Sequence, residues 1–511
     1  MRDTFNTLRI GLFVCLLFVW AGCDSFLEPD PASFSTTANF YESPAQFEQA
    51  VVGAYAQFRL FVGDEDYRYA TDMRGPNITR HFDVNLPHTV AGTPQLDEWS
   101  MDVANGVIAR NWTRAYEVIK ETNVILNRID PIEFPDEAQK NRLIGEAKVM
   151  RAFAFWVGVQ FWGDMPLLLT EVSTPGEAVP ETGRDSKAAV IQQIVTDLQD
   201  AINKLPATYS GGDVGRITRG AAQTLLGKTY MLTGEWSSAI SQFEAVDAGP
   251  YSLMPSYREV FNPANKNNAE SILELQYDPN IPGQGELPAM LVDVLPYTSA
   301  SEISEAATVP LGRYMPTPDA IAKFEIGDLR FEDSIAWWEK AGNSTSPEIA
   351  FGDSIPYFNK FFWKEAINGQ AQMNVNWIVF RLSDVLLSAA EAHWRNGSDG
   401  QAMAYLDRVR SRAGLPSVNL ADFSGALTGS SMGDAILHER DVELLGEGHN
   451  WLDLLRFGDN VAMSAMVDHG NKFRARDSKT ADVYVIQDYK LLYMIPPREV
   501  LLGQLAQNPG W

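Results

Sequence analysis

Apolar residues recur at steps of three and four positions along most of this chain, which is the period of an amphipathic α-helix. The pattern is clearest in SPAQFEQAVVGAYAQFRLF from Ser43, GVIARNWTRAYEVIKETNVILNRI from Gly106 and NRLIGEAKVMRAFAFWVGVQFW from Asn141. Ser43 and Gln46 also match an N-cap and its capping-box partner. Strand-like runs such as SILELQY from Ser271 are few. The sequence therefore predicts a mainly all-α fold with a few short strands.

Two helical segments carry the spacing of the tetratricopeptide repeat, a pair of antiparallel helices. In GAAQTLLGKTYMLTGEWSSAISQFEAV the matching positions are Leu226, Gly227, Tyr230, Ala239 and Phe243. In LLSAAEAHWRNGSDGQAMAYLDRV they are Ala390, Gly397, Ala402 and Leu406. A further helix, from Ala188, ends at Pro206 as the second helix of such a repeat does. Because one repeat cannot bury its apolar face alone, we expect several pairs to stack.

Two long inserts interrupt the helical pattern, at about residues 61–105 and 278–375. Both are rich in aromatic residues, Pro, Gly and Asn, and we expect them to project from the stack as loops. Loops of this length in a compact protein usually carry function. Since no linker rich in Pro, Gly or Ser divides the rest of the chain, the folded part is expected to be a single domain.

The composition excludes some classes of partner and site. The chain has 66 acidic and 41 basic residues, and its formal net charge of -25 would repel the phosphate backbone of a nucleic acid. Both cysteines, Cys15 and Cys23, precede the helical segments, which excludes a disulfide framework or a catalytic cysteine in the folded body. No group of histidines and carboxylates has metal-ligand spacing, and no cofactor motif is present. We expect no nucleic acid, metal or cofactor.

The amino terminus is typical of an exported bacterial lipoprotein. Two arginines precede IGLFVCLLFVWA, an uncharged run that is shorter than the roughly 20 residues needed to span a bilayer. Cys23 follows two small residues, as in a lipobox, so we expect residues 1–22 to be a signal peptide and Cys23 to be the lipid attachment site. The lipid would tether residues 23–511 to a membrane. Trp20 stands where lipoboxes usually carry an aliphatic residue, and the alternative is a secretory signal cut elsewhere that leaves Cys23 as a free thiol.

The order of several motifs resembles the SusD/RagB family of bacterial outer-membrane lipoproteins. The similar motifs are CDSFLEPDP from Cys23, GEAKVMRAFAFWVGVQFWGDMPLLL from Gly145, VFRLSDVLLSAAEAHWRNG from Val379, DRVRSRAGL from Asp407, HERDVELLGEGHNWLDLLRFG from His438 and the closing YMIPPREVLLGQLAQNPGW. Several motifs in one order are far more specific than any single one, and the resemblance extends to the last residue.

The resemblance implies a helical body of about four tetratricopeptide helix pairs, anchored by lipid at the outer membrane and facing the cell exterior. Such a protein is not an enzyme. It captures an oligosaccharide or polysaccharide for a SusC-like TonB-dependent β-barrel transporter, over which it lies as a lid. A peptide ligand occurs in the same family and stays an alternative. Asp24, Glu28 and Asp30 resemble the signal that sends such lipoproteins to the cell surface.

The candidate ligand contacts lie in the two inserts. A sugar ring packs its C–H groups on an aromatic face, and its hydroxyls need planar amide, carboxylate or guanidinium partners. The aromatic candidates are Trp99, Tyr297, Trp337 and Trp338, which we expect in loop-like segments, and the polar candidates are Asp72, Arg74 and Asn77. For each residue, packing within the loop or contact with the transporter is the alternative.

Carboxylates also recur on the last helices, where Glu439, Glu443 and Glu447 follow one another at four-residue steps. We expect them to form ion pairs that lock these helices together. The same role is expected of Arg381, Asp384, Glu391, Arg440 and Arg456. The zinc motif HExxH fails after His438 because its second histidine is missing. We assign no catalytic residue, but a surface glycoside hydrolase with paired carboxylates and a scaffold that binds only protein remain alternatives.

Overall fold

The computed structural model describes residues 40–80, 93–172, 183–278, 293–296, 312–339, 354–366, 374–476 and 486–511. Cys23, the acidic residues that follow it and Tyr297 lie outside the described residues, so the roles assigned to them stay predictions. In the part of the chain that is described, no helix is long and apolar enough to cross a membrane.

The first half of the chain contains helices α1 (Pro44–Val62), α2 (Glu65–Arg68, continued by a π-helical turn at Tyr69–Met73), α3 (Thr93–Asp97), α4 (Gly106–Arg128), α5 (Glu137–Phe161), α6 (Lys187–Lys204), α7 (Arg219–Thr233) and α8 (Trp236–Asp247). The second half contains α9 (Tyr257–Val260), α10 (Pro318–Ile321), α11 (Arg330–Ser334), α12 (Leu382–Arg395), α13 (Asp399–Arg412), α14 (Ser431–Glu443), α15 (Asn450–Phe457), α16 (Asp459–Arg476) and α17 (Pro497–Leu501).

Short strands form three two-stranded antiparallel sheets. The strands are β1 (Ile78–Thr79), β2 (Ser271–Leu275), β3 (Met315–Pro316), β4 (Ile335–Glu339), β5 (Ser354–Phe358) and β6 (Trp377–Arg381). Strand β1 pairs with β3, β2 with β6, and β4 with β5. The mainly all-α fold with few short strands is therefore confirmed.

Eight helices of the described residues pack in succession, in the order α1, α4, α5, α6, α7, α8, α12 and α13. They form four helix pairs, as the resemblance implied. Helix α5 is the most deeply placed, because its whole second half, from Val149 to Phe161, is buried. Arg151 of α5 holds α6 through two hydrogen bonds to Asp197, at 2.7 and 2.9 Å.

The helix pair α7–α8 has the tetratricopeptide geometry that the spacing predicted. A Cβ atom at Gly227 would lie 2.5 Å from the Phe243 ring, so the close crossing requires glycine there. Ala239, the predicted small position, is fully buried. Helix α7 ends at Gly234, whose φ of 74° lies in the left-handed region that favours glycine at a helix C-terminus.

Helix α1 begins at Pro44 with Ser43 as its N-cap, as predicted, but the hydrogen bonds of a capping box are absent at Ser43. The Ser43 hydroxyl donates to Gln46 Oε1 at 3.1 Å and does not accept from a backbone N–H. Gln46 Oε1 accepts instead from the backbone N–H of Glu42, at 2.8 Å. The side-chain carbonyl of Gln46 attracts both donors, which takes the hydroxyl away from the helix end.

The two inserts are not only loops, which corrects one expectation. Their described parts contain short helices and strands, and the inserts pair with each other because β1 belongs to the first and β3 to the second. Tyr69 also donates across the inserts to Asp293, at 2.8 Å. The inserts therefore form a joint layer of β-strands and polar contacts, a long-range pairing that no local pattern indicates.

Candidate functional site

Asp72 lies inside the joint layer of the two inserts. Its carboxylate accepts from the backbone N–H groups of Gly448 and Asn450, at 2.7 and 3.1 Å, and from the Tyr314 hydroxyl. Burial raises the pKa of Asp72 to about 6, although these hydrogen bonds oppose the rise. The carboxylate therefore fastens the inserts to the loop before α15.

Arg74 and Trp99 form a stacked pair in the same interior region. The guanidinium lies 3.4 Å from the centroid of the Trp99 ring, and the indole N–H donates to the Arg74 carbonyl at 3.2 Å. Trp451 meets the Trp99 ring edge to face, with 5.5 Å between centroids. Trp99 is 1% exposed. The expectation of a tryptophan in a loop-like segment is wrong for Trp99, because Arg74 and Trp451 already pack against its ring.

Arg74 is the least compensated charge of this region. It donates to the Lys490 carbonyl at 2.8 Å, but its Nε and Nη1 atoms have no hydrogen-bond partner. Burial lowers its pKa to about 9. Stacking on an aromatic ring is the main compensation for a desolvated guanidinium here, so Arg74 depends on Trp99.

Asn77 completes this interior group. Its Nδ2 donates to Asp441 at 3.0 Å, and its Oδ1 accepts from Lys323 Nζ at 2.8 Å. Like Asp72 and Arg74, it is buried, so all three polar candidates have partners inside the protein. A contact between them and a ligand stays a prediction, and their burial gives each a structural role.

Trp337 and Trp338 are placed differently, on strand β4. The expectation of a loop is wrong here too, since Trp337 lies opposite Pro356 and Trp338 opposite Ile355 in the β4–β5 hairpin. Neighbouring side chains on a strand point to opposite faces. Trp338 is accordingly buried, at 8% exposure, whereas Trp337 is 37% exposed and is the most exposed aromatic side chain among the described residues.

The β4–β5 hairpin rests on a tightly packed aromatic base. Phe358, at the end of β5, packs against Phe361 with 5.5 Å between ring centroids. The Arg258 guanidinium lies 3.9 Å from the centroid of the Trp363 ring and donates to the Phe362 carbonyl at 3.0 Å. Such a base holds Trp337 in position before any ligand arrives, which reduces the entropy lost on binding.

Behind this aromatic base, the predicted ion pairs of the last helices are confirmed. Arg330 donates to Glu439 at 2.6 Å and to Glu443 at 2.9 Å. Arg381 donates to Glu447 at 2.7 Å. Burial alone would raise the pKa of Glu443, but Arg412, Arg381 and Arg330 together hold it well below its usual range. These carboxylates are charged acceptors whose role is to join the second insert to the helical stack.

A second group of buried ion pairs joins α12 to α15. Arg440 contacts Asp384 at 2.9 Å and Asp453 at 2.8 Å. Arg456 contacts Glu391 and Asp453, both at 2.7 Å. The roles predicted for these arginines and carboxylates are thus confirmed. In the described residues, no group of three or more His, Cys, Asp or Glu is arranged to hold a metal ion.

Sequence reasoning missed several partners of the first ion-pair group. Lys360 contacts Glu447 at 2.7 Å, and Glu270 accepts from Arg381 at 2.9 Å. Both are fully buried. A local signal for Lys360 does exist, because it is the one charge within the apolar run IPYFNKFF, and a lone charge in such a run is rarely buried unless it is paired.

Comparison with known proteins agrees with this architecture. Residues 25–231 match a family model described as starch-binding and associating with the outer membrane, and residues 330–511 match the model of the SusD family. The chain belongs to the SusD/RagB family. A SusD-like protein of Formosa agariphila is 28% identical, and the alignment covers 98% of this chain and 99% of that one.

Two solved structures of the SusD type share the fold. A laminarin-binding SusD-like protein superposes with a TM-score of 0.74 at 25% identity, covering 92% of this chain and all of the other. Surface glycan-binding protein A from Bacteroides thetaiotaomicron, in complex with laminarihexaose, superposes with a TM-score of 0.73 at 20% identity and covers 91% of this chain and 99% of that one. At 20% identity the likeness concerns the fold alone.

Proposed function

We propose that this SusD/RagB protein is a surface-exposed, non-enzymatic lipoprotein that captures glycans and delivers them to a SusC-like TonB-dependent transporter. The similarity to a laminarin-binding SusD-like protein over 92% of the chain supports a glycan ligand. The observation that carries the proposal within this chain is Trp337, an exposed aromatic ring on a hairpin with a packed base.

Trp337 is the proposed centre of the glycan site. An indole face offers a large apolar surface to the C–H groups of a sugar ring, and aromatic side chains dominate many binding hot spots. Trp338 anchors the hairpin from its buried side. Tyr297 remains a proposed further contact, while Asp72, Arg74, Asn77 and Trp99 would act mainly by shaping the layer that carries the hairpin.

The attachment to the outer membrane is proposed through Cys23. Residues 1–22 would be removed, and residues 23–511 would form the mature protein with its lipid at the new amino terminus. Mass spectrometry of the membrane-extracted protein should find an amino terminus at Cys23 with added acyl mass. Cys23→Ala should release the protein from membranes, and a Cys23→Ala protein that stays membrane-bound would contradict the anchor.

The ligand class can be tested with the chain lacking residues 1–23. Affinity electrophoresis in gels that contain laminarin, starch or other polysaccharides should retard the protein in at least one gel, whereas a gel without glycan should not. Binding of peptides and not of glycans would favour the peptide-binding alternative. Release of shorter sugars from the retarding glycan would contradict the non-enzymatic part of the proposal and favour a hydrolase.

A further inference from the structure

A largely apolar groove of about 460 Å³ lies between α4, the segment after α5 and the C-terminal helix α17. Its apolar lining includes Trp112, Tyr116, Pro166, Leu168, Leu502 and Leu505. Leu502 is 64% exposed, so one wall of the groove is open to solvent in the described part of the chain. An exposed apolar recess of this kind usually marks an interaction site.

The described chain begins close to one end of this groove. The Arg128 guanidinium, on the last turn of α4, lies 5.2 Å from the centroid of the Tyr41 ring. Lys120, which lines the groove, is among the charged groups that act on the Tyr41 hydroxyl. The residues that precede Tyr41 therefore leave the fold near the Lys120 end of the groove.

The segment before Tyr41 has the length and the side chains to fill the groove. Residues 24–39, DSFLEPDPASFSTTAN, contain three large apolar side chains, of which Phe34 is nearest to Tyr41. The seven residues from Phe34 to Tyr41 can extend over at most about 25 Å. From Lys120 to Trp112, α4 rises only about 12 Å. Phe34 can thus reach any part of the groove.

We propose that residues 24–39 dock in this groove with the Phe34 ring on its apolar floor. Charge does not decide the fit, because Lys120 and Arg498 on the rim are balanced by Glu117 and Glu499. The apolar match and the short connection favour this occupant, since a short tether gives a high effective concentration. If Cys23 is acylated as proposed above, the docked segment fixes which side of the body faces the membrane.

Photo-crosslinking of the full-length chain tests the docking directly. A benzophenone amino acid in place of Phe34 keeps an aromatic side chain at that position. After irradiation, peptide mass spectrometry should find adducts within the same chain at residues 112–120, 166–172 or 498–505. Leu502→Glu, which places a charge on the groove wall, should reduce the yield of these adducts by about tenfold or more.

Leu501→Glu is the matched control, because Leu501 is more exposed, at 79%, and does not line the groove. It should leave the adducts unchanged, and both variants should melt like the parent protein. Adducts elsewhere, adducts only between copies, no adducts, or equal loss in both leucine variants would each overturn the proposal. Repeating the irradiation with Cys23→Ala separates the docking from the anchor, since docking should persist in protein that has lost its lipid.

Discussion

Trp99 and Trp337 occupy the same kind of insert, yet their surroundings differ in the property that matters for binding. One side of the Trp99 ring carries the Arg74 guanidinium, and its edge meets Trp451, so the ring is part of the interior. Trp337 lies on a strand whose alternation turns Trp338 inward and leaves Trp337 37% exposed. The comparison teaches that an aromatic residue in an insert is a candidate for binding only when its partners leave a face accessible.

The interior should fail most severely when a central carboxylate is removed. Glu443→Ala takes away a partner of Arg330, Arg381 and Arg412, and breaking a buried ion pair from one side costs about 3–5 kcal/mol. We expect a loss of at least this size in the free energy of unfolding by urea. Glu332→Ala, at an exposed glutamate, should change it by less than about 0.5 kcal/mol. Equal effects in the two variants would contradict the structural role of the network.

Removal of the Trp99 ring should come next in size. Trp99→Ala leaves a cavity beside Arg74 and Trp451, and truncation of a buried tryptophan costs about 3–5 kcal/mol. Glycan affinity per folded molecule should stay as in the parent protein. A Trp99→Ala protein of normal stability with reduced glycan affinity would reverse the comparison between the two regions.

Much of this interior could be predicted from the sequence, because its signals are local or repeated. The three- and four-residue periods gave the long helices, and Gly227, Ala239 and Phe243 gave the tetratricopeptide pair. The ion pairs of Glu443 followed from the spacing of charges on one helix.

The arrangement of the inserts could not be predicted in the same way. The pairing of Ile78 with Pro316 joins residues far apart in the sequence, and no periodicity announces it. The burial of Trp99 depends on Trp451, which is equally distant in the chain. For Trp337 and Trp338, an alternation of faces was foreseeable once a strand was recognised, but which face is covered depends on the packing of the hairpin.

A smaller effect is expected from acid on the second group of ion pairs. Burial opposes the ionisation of Asp453, but Arg440 and Arg456 outweigh it and lower its pKa to about 2. Because this pKa lies below that of the unfolded chain, the contribution of about 2 kcal/mol is complete above about pH 4 and is lost as the pH falls through 2. The difference in unfolding free energy between the parent and Asp453→Asn should therefore shrink in this range. A difference that stays constant down to pH 3 and below would contradict the assignment.

The most direct test of the central claim is glycan affinity in Trp337→Ala, measured together with stability. Truncation of a central stacking aromatic costs about 2 kcal/mol of binding or more, so affinity for the retarding glycan should fall about thirtyfold or more. The free energy of unfolding should change by less than about 0.5 kcal/mol, since the ring is partly exposed. Trp236→Ala, at a half-buried tryptophan on α8, serves as the matched control and should bind normally. Normal glycan affinity in Trp337→Ala, or loss of affinity only through unfolding, would contradict the account.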